Sequence, residues 1–221
     1  MKYRIINYDD LAKNGYFDEY LTGETLNIMK KFSNNIDYED VKKLLFKKDN
    51  IKLFIIDDNL KIKGVLVANY LIGYNDNTIL YCENIIIDSE YQSCGLAKEM
   101  LYTLVKRYNP DVVIAKTHNP RVCDIFTKIP YRVCSYPNKY YEIPKDIYRL
   151  IESNPFIQNI DSNLIEKGSY ESILLQQNSK NNDINKMFMN VDDYDAQVMV
   201  VVMHDNRLNL NAKMKVLKKQ A

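Results

Sequence analysis

The stretch Glu83–Val105, ENIIIDSEYQSCGLAKEMLYTLV, decides how the rest of the chain is read. It opens on an apolar, β-branched run, passes through polar Asp88–Ser93, is interrupted by Gly95, and resumes with apolar residues at Leu96, Met100, Leu101, Leu104 and Val105. The first part has the character of a strand and the last the spacing of an amphipathic helix. Asn109-Pro110 ends that helix, because a proline disfavours the helical conformation of the residue before it. Asp111–Thr117 (DVVIAKT) then reads as a buried-type strand. Strand, helix, strand in this order is a βαβ unit with a right-handed crossover, so the fold contains one parallel strand pair.

Working outward, Tyr3–Tyr8 reads as a first strand, and Leu21, Leu26, Met29 and Phe32 mark an amphipathic helix over Asp18–Phe32. Asp37 is a helix cap with Asp40 three residues on, opening a helix that carries Val41, Leu44 and Leu45. Lys52–Asp57 and Ile62–Ile72 flank the turn signal Asp58-Asn59 and form a hairpin. Gly73–Thr78 turns the chain into a further strand, Ile79–Ile87. Strands in such quick succession pair antiparallel. Downstream, Pro120–Ile129 reads as a short helix, Tyr131–Tyr136 as a strand and Pro144–Glu152 as a helix. Leu174–Asp195 is rich in Asn, Asp and Gln, Ala196–Met203 (AQVMVVVM) is a late strand, and Lys213–Lys219 is a basic tail read as a frayed helix. The expected fold is α/β of the α+β kind: a mixed, mostly antiparallel central sheet with one parallel pair, flanked by helices.

Composition narrows the function. The 221 residues are 46% hydrophobic, enough for a sizeable core and against global disorder. Thirty basic and 29 acidic residues leave a formal net charge of +1, no field to attract nucleic acid or a membrane surface. Any attraction for a charged partner must be local. The N-terminus lacks a secretory signal, and apolar runs such as Val198–Met203 are too short to span a bilayer, so a cytoplasmic protein is expected. The four cysteines, Cys82, Cys94, Cys123 and Cys134, include no C-x-x-C pair, and there are two histidines. No metal site is expected.

The segment Gln92-Ser93-Cys94-Gly95-Leu96-Ala97 lies between strand and helix. A short loop of small residues lets backbone N–H groups approach an anion, and a helix N-terminus adds partial positive charge. An ordinary strand-to-helix turn has the same composition, and the segment is neither a Walker loop nor G-x-G-x-x-G. Its pattern Q-x-x-G-x-A after an apolar strand resembles the acyl-CoA loop, [QR]-x-x-G-x-[GA], of the GNAT superfamily of N-acetyltransferases. The resemblance continues through Thr117-His118-Asn119-Pro120-Arg121-Val122 and the element order from Tyr3 to about Pro137. It implies acetyl-CoA as cosubstrate, with Ile86 and Ile87 on a strand splayed from its parallel partner, the pyrophosphate on backbone N–H groups of Gln92, Ser93, Cys94, Gly95, Leu96 and Ala97, and Asn119 on the CoA arm. Asn119 reads equally as a helix cap before Pro120.

Transfer to an amine needs a group to take the ammonium proton and one to protonate the leaving thiolate. Glu83 lies in an apolar strand, nine residues before Gln92, at the acidic position many members use as general base. A solvated or paired glutamate is the plain alternative. The tyrosine that members often carry seven residues after the Asn is here Phe126, which has no hydroxyl. Pro130-Tyr131 replaces the Gly-Phe that usually follows. Tyr131 is the weak candidate for the acid, with Tyr136 or water as substitutes. Cys123 and His118 read as structural residues before nucleophile or ligand, the acidic runs at 37–40 and 192–195 as solvated or capping charges, and Met187, Phe188 and Met189 as core.

The expected activity is acetyl transfer from acetyl-CoA to a primary amine on a small molecule or peptide by direct transfer in a ternary complex. The alternative is a noncatalytic acyl-CoA-binding module of the same fold. One domain is expected over 1–221: a recognisable core at 1–137, an insertion at 138–195 before a final strand at 196–203, and a tail at 204–221. The insertion could line the acceptor pocket or build a homodimer contact.

Overall fold

The computed structural model describes residues 3–13, 16–33, 35–47, 50–138, 142–170 and 177–204. Two compact units divide the chain: Met1–Tyr70 with Tyr81–Tyr108, and Leu71–Leu80 with Asn109–Ala221. The basic tail at 213–219 and most of 204–221 lie outside the described residues. Among the described residues no helix is long and apolar enough to cross a membrane.

The first unit contains strands β1 (Tyr3–Asn7), β2 (Ile51–Asp57), β3 (Ile62–Ile72, through Tyr70) and the later part of β4 (Thr78–Ile87), neighbours in that order. Its helices are α1 (Tyr8–Lys13), α2 (Asp18–Met29), α3 (Tyr38–Phe46) and α4 (Leu96–Tyr108). β1 pairs antiparallel with β2, and β2 with β3. Phe54 and Ile56 of β2 and Val65 and Val67 of β3 join Leu11, Leu21, Ile28, Val41 and Leu45 of the first three helices in one buried cluster. The intervening Leu53, Ile55, Leu66 and Ala68 are buried too, so both faces of this hairpin are covered and its sequence does not alternate. Asp37 caps α3 as expected: its carboxylate accepts from the Asp40 N–H at 2.9 Å, and Asp40 accepts in return from the Asp37 N–H at 3.2 Å.

Between the pairs Ile55–Gly64 and Ile56–Ile62 the register shifts, leaving Lys63 as an extra residue in β3. At this bulge a Cβ on Gly64 would stand 3.0 Å from the Ile86 carbonyl oxygen and 2.9 Å from Ile55 Cδ1. Glycine is what lets β3 lie this close to β4 at Ile86.

The second unit is built around β8 (Ala196–Val202), buried at every position. β5 (Val112–Thr117) pairs antiparallel along one edge, from Val112 opposite Val202 to Thr117 opposite Gln197. β6 (Cys134–Tyr136) and β7 (Ile165–Glu166) pair antiparallel with β8 on the other. The start of β4, Thr78–Leu80, neighbours β5 and forms with it the parallel pair. Asp111 fastens the two beginnings: its carboxylate accepts from the Thr78 N–H and hydroxyl at 2.8 and 2.7 Å, and its own N–H donates to Thr78 Oγ1 at 2.9 Å. Helices α5 (Pro120–Phe126), α6 (Lys145–Glu152) and α7 (Asn182–Met187) complete the unit. The architecture is therefore the expected one: mixed α/β, mostly antiparallel, with one parallel pair. The strand expected over Tyr131–Tyr136 is shorter, because Tyr131 takes a φ of +63°, outside the β region.

Candidate functional site

The first unit holds most of the residues that the sequence singles out. Along β4, burial is complete from Ile79 to Cys82, but Glu83, Asn84, Ile85 and Ile86 are all half-buried. Four consecutive half-open residues involve both faces of a strand, since successive side chains alternate. Glu83 retains 24% side-chain exposure. Its Oε2 accepts from Asn69 Nδ2 at 2.9 Å, and its Oε1 stands 4.0 Å from Lys47 Nζ. Asn69, 94% buried on β3, escaped sequence reading, although an amide inside VLVANYL was the available signal.

After β4 the chain makes a short 3-10 turn over Ser89–Tyr91, capped by Asp88. Asp88 also accepts from Lys31 Nζ at 2.7 Å, and Lys63 Nζ, on the bulge, lies 4.0 Å away. Burial alone would raise the Asp88 carboxyl, but the Lys31 ammonium, the Glu90 N–H and the Lys63 charge outweigh it and hold it below the ordinary carboxylate range. The turn is thus anchored by charge beneath the loop. Gln92 Nε2 donates to the Ile87 carbonyl at 3.0 Å, pinning the loop's first side chain back onto the end of β4.

Ser93 and Gly95 both take positive φ, 67° and 82°. Left-handed residues on either side of Cys94 bend the backbone into the kind of concavity whose N–H groups can converge on an anion. The loop runs straight into α4, thirteen residues long, whose first N–H groups have no partner within the helix. A Cβ on Gly95 would meet nothing within 4 Å, so the space beside the loop is open. Small residues, a loop with two left-handed residues and the positive end of a helix are the features a diphosphate would need.

The second unit holds Asn119, Phe126 and Tyr131. Asn119 caps α5, its Oδ1 accepting from the Arg121 N–H at 2.9 Å. Phe126 is fully buried. Tyr131 is 84% exposed, in the turn that follows α5. Cys123 is fully buried with Sγ 3.1 Å from Met199 Sδ, and burial, with Asp124 adding to it, pushes its thiol up to about 12. That chemistry is unsuited to a nucleophile. His118 is buried with Nδ1 3.0 Å from the Asp195 carbonyl, and His204, for which sequence offered no partner, lies with Nε2 3.1 Å from Asn109 Oδ1. Of the three residues read as core, Phe188 is buried and Met187 packs against the same cluster, but Met189 is 80% exposed.

Within the second unit a cavity of about 490 Å³ is lined by Glu142, Tyr148, Ile165, Met187 and Gln197, among others. Glu142, Tyr148, Ile165 and Met187 belong to the segment between β6 and β8. Among the described residues no cluster of three or more His, Cys, Asp or Glu could hold a metal ion.

No family model matches the chain, and no curated protein matches its sequence. Solved structures do match. The crystal structure of Tetrahymena GCN5 is similar over 92% of this chain and 97% of that one, with 12% identity and a TM-score of 0.50. A Trypanosoma brucei acetyltransferase is similar over 62% of this chain and 98% of its own, at 9% identity and a TM-score of 0.46. An aminoglycoside acetyltransferase from an uncultured soil metagenomic sample is similar over 48% and 70%, at 24% identity and a TM-score of 0.34.

Proposed function

With the GNAT acetyltransferase fold as the premise, we propose that the chain is an acyl-CoA-dependent N-acyltransferase. It moves an acetyl group from acetyl-CoA to a primary amine of a small molecule or peptide, by direct transfer in a ternary complex. The observation that carries this reading is the Gln92–Ala97 loop, with its two left-handed residues leading into the N-terminus of α4 directly after the strand that bears Glu83.

In this reading backbone N–H groups from Gln92 to Ala97 hold the pyrophosphate, and Ile86 and Ile87 lie along the pantetheine. Asn119 belongs to the CoA arm as well as to the cap of α5. Holding both substrates side by side supplies much of the rate. Glu83 takes the ammonium proton, directly or through a water, and Asn69 and Lys47 orient its two oxygens. The neutral amine attacks the thioester carbonyl, the C–N bond forms, the attacking nitrogen gives up its second proton to water, and the C–S bond breaks to release the CoA thiolate. That thiolate receives a proton from Tyr131 or from water. A CoA thiolate is a tolerable leaving group, so Phe126 in place of a hydroxyl-bearing residue does not forbid turnover.

The test is CoA release across a panel of amines, wild type against Glu83→Gln. Turnover with at least one amine, reduced by about a hundredfold or more in the variant, is expected for loss of a general base. The buried Phe126 favours one other reading, a noncatalytic acyl-CoA-binding module. Tight acetyl-CoA binding without turnover on any amine would select it.

A further inference from the structure

Tyr3 opens β1 and Glu99 stands in the first turn of α4, both within the first unit. They meet across 96 positions of sequence: the Tyr3 hydroxyl donates to Glu99 Oε2 at 2.7 Å. The Glu99 N–H donates to the Gly95 carbonyl at 3.0 Å, so the ladder of α4 begins at this pair. The N–H groups of Leu96, Ala97 and Lys98 are left without a helical partner. Side chains on a helix lean toward its N-terminus, so the exposed Glu99 covers the turn that carries those donors. The helix dipole draws a first-turn carboxylate toward them. Untethered, Glu99 would settle over the same N–H groups that the pyrophosphate needs.

The bond ties that carboxylate to a strand instead. The Tyr3 phenol remains a donor: its pKa is raised by the bond to Glu99 first, then by burial, with the charges of Glu99 and Cys94 adding. Cys94 lies in the middle of the loop, so the hydroxyl stands within electrostatic reach of loop and carboxylate alike. We propose that Tyr3 is a positioning residue for the acyl-CoA loop, holding the Glu99 carboxylate, an internal competitor of the ligand's pyrophosphate, away from the first N–H groups of α4. The role rests on the transferase reading of the Gln92–Ala97 loop. It gives β1, which carries none of the reacting groups, a part in setting the affinity for acetyl-CoA.

Calorimetric titration of the full chain with acetyl-CoA, in wild type, Tyr3→Phe, Glu99→Gln and the double variant, tests the role. Tyr3→Phe keeps the ring and releases the carboxylate. It weakens binding about threefold, the size of effect expected of one charge in a helix's first turn. Glu99→Gln keeps an oxygen for the Tyr3 hydroxyl and removes the charge. It strengthens binding about threefold while melting slightly below wild type, because the dipole loses its countercharge. A purely structural role would not make the less stable variant bind more tightly. In the double variant the missing hydroxyl has no further effect, and the Kd equals that of Glu99→Gln. Unchanged binding by Tyr3→Phe, unchanged or weaker binding by Glu99→Gln, or a Tyr3→Phe loss that persists in the double variant would overturn the role of Tyr3 and leave the loop reading standing. No acetyl-CoA binding by wild type, or binding unchanged by Gly95→Glu, would overturn the loop reading and the role of Tyr3 with it.

Discussion

Gly95 combines a φ of +82° with open space where a side chain would begin, so two substitutions there separate backbone strain from blockage. Alanine costs about 1 kcal/mol for the left-handed conformation and leaves the space nearly empty. Gly95→Glu bears the same backbone cost and adds a negative charge to the loop proposed to hold the pyrophosphate. Gly95→Ala is expected to bind acetyl-CoA within about tenfold of wild type. Gly95→Glu is expected to bind none by calorimetry, with both variants melting alike. Unchanged affinity in the glutamate variant would remove the loop assignment. A second residue-scale prediction concerns Asn69, whose amide holds one oxygen of Glu83. Asn69→Leu keeps the volume and deletes the donor, so Glu83 loses this hydrogen bond while Lys47 stays 4.0 Å away. The expected result is a fall of about tenfold in kcat with the acetyl-CoA Kd unchanged. A matching loss in acetyl-CoA binding would mean that Asn69 serves the fold of β4 rather than the position of its glutamate.

At the scale of elements, the approach of β3 to β4 depends on Gly64 and the bulge beside it. An added Cβ would press on the Ile86 carbonyl, which is backbone and cannot rotate aside. Gly64→Ala is therefore expected to cost about 1–3 kcal/mol in urea denaturation and, if Ile86 and Ile87 lie along the pantetheine as proposed, to weaken acetyl-CoA binding. A neutral effect on both would show that β4 accommodates the methyl group. The bulge also illustrates where sequence reading stops. Period and punctuation located the long elements well: Ile62–Ile72 and Leu96–Tyr108 coincide with their expected bounds, and the Asp37 capping box announces α3. The shortest pieces left no such trace. α1 spans six residues, β7 two and α7 six. Elements this short are held by their neighbours rather than by a pattern of their own. β7 exists because β8 offers it an edge, and the Gln197 amide draws in the two carbonyls just before it. The same limit governed the candidate site. Residues contiguous in sequence, Gln92 to Ala97, were legible as a loop, whereas Asn69 and the lining of the cavity depend on strand pairing that no local motif encodes.

For the whole molecule, acid stability follows from two aspartates with no shared partner. Asp88 in the first unit accepts from Lys31 at 2.7 Å, and Asp195 in the second accepts from Lys167 Nζ at 2.6 Å and from the Gly168 N–H at 3.0 Å. Burial works against ionisation of both, and in both it is outweighed: for Asp195 by the Lys167 ammonium first and then by the Gly168 N–H. Both carboxyls are therefore depressed in the folded state relative to the unfolded chain. A depressed carboxyl contributes its full stabilisation above the unfolded value of about 3.9 and loses it as pH falls through the folded value. The protein should thus be steady across the neutral range and lose stability below about pH 4. Lys31→Met and Lys167→Met should each lower stability at neutral pH and flatten the acid limb. With separate partners, the two effects should add in the double variant. Denaturant midpoints measured at neutral pH and again below the carboxylate range would check this. An acid limb in the double variant as steep as in wild type would mean that other carboxylates carry the transition. A double variant no less stable at neutral pH than either single one would mean that the two ion pairs are coupled through the fold.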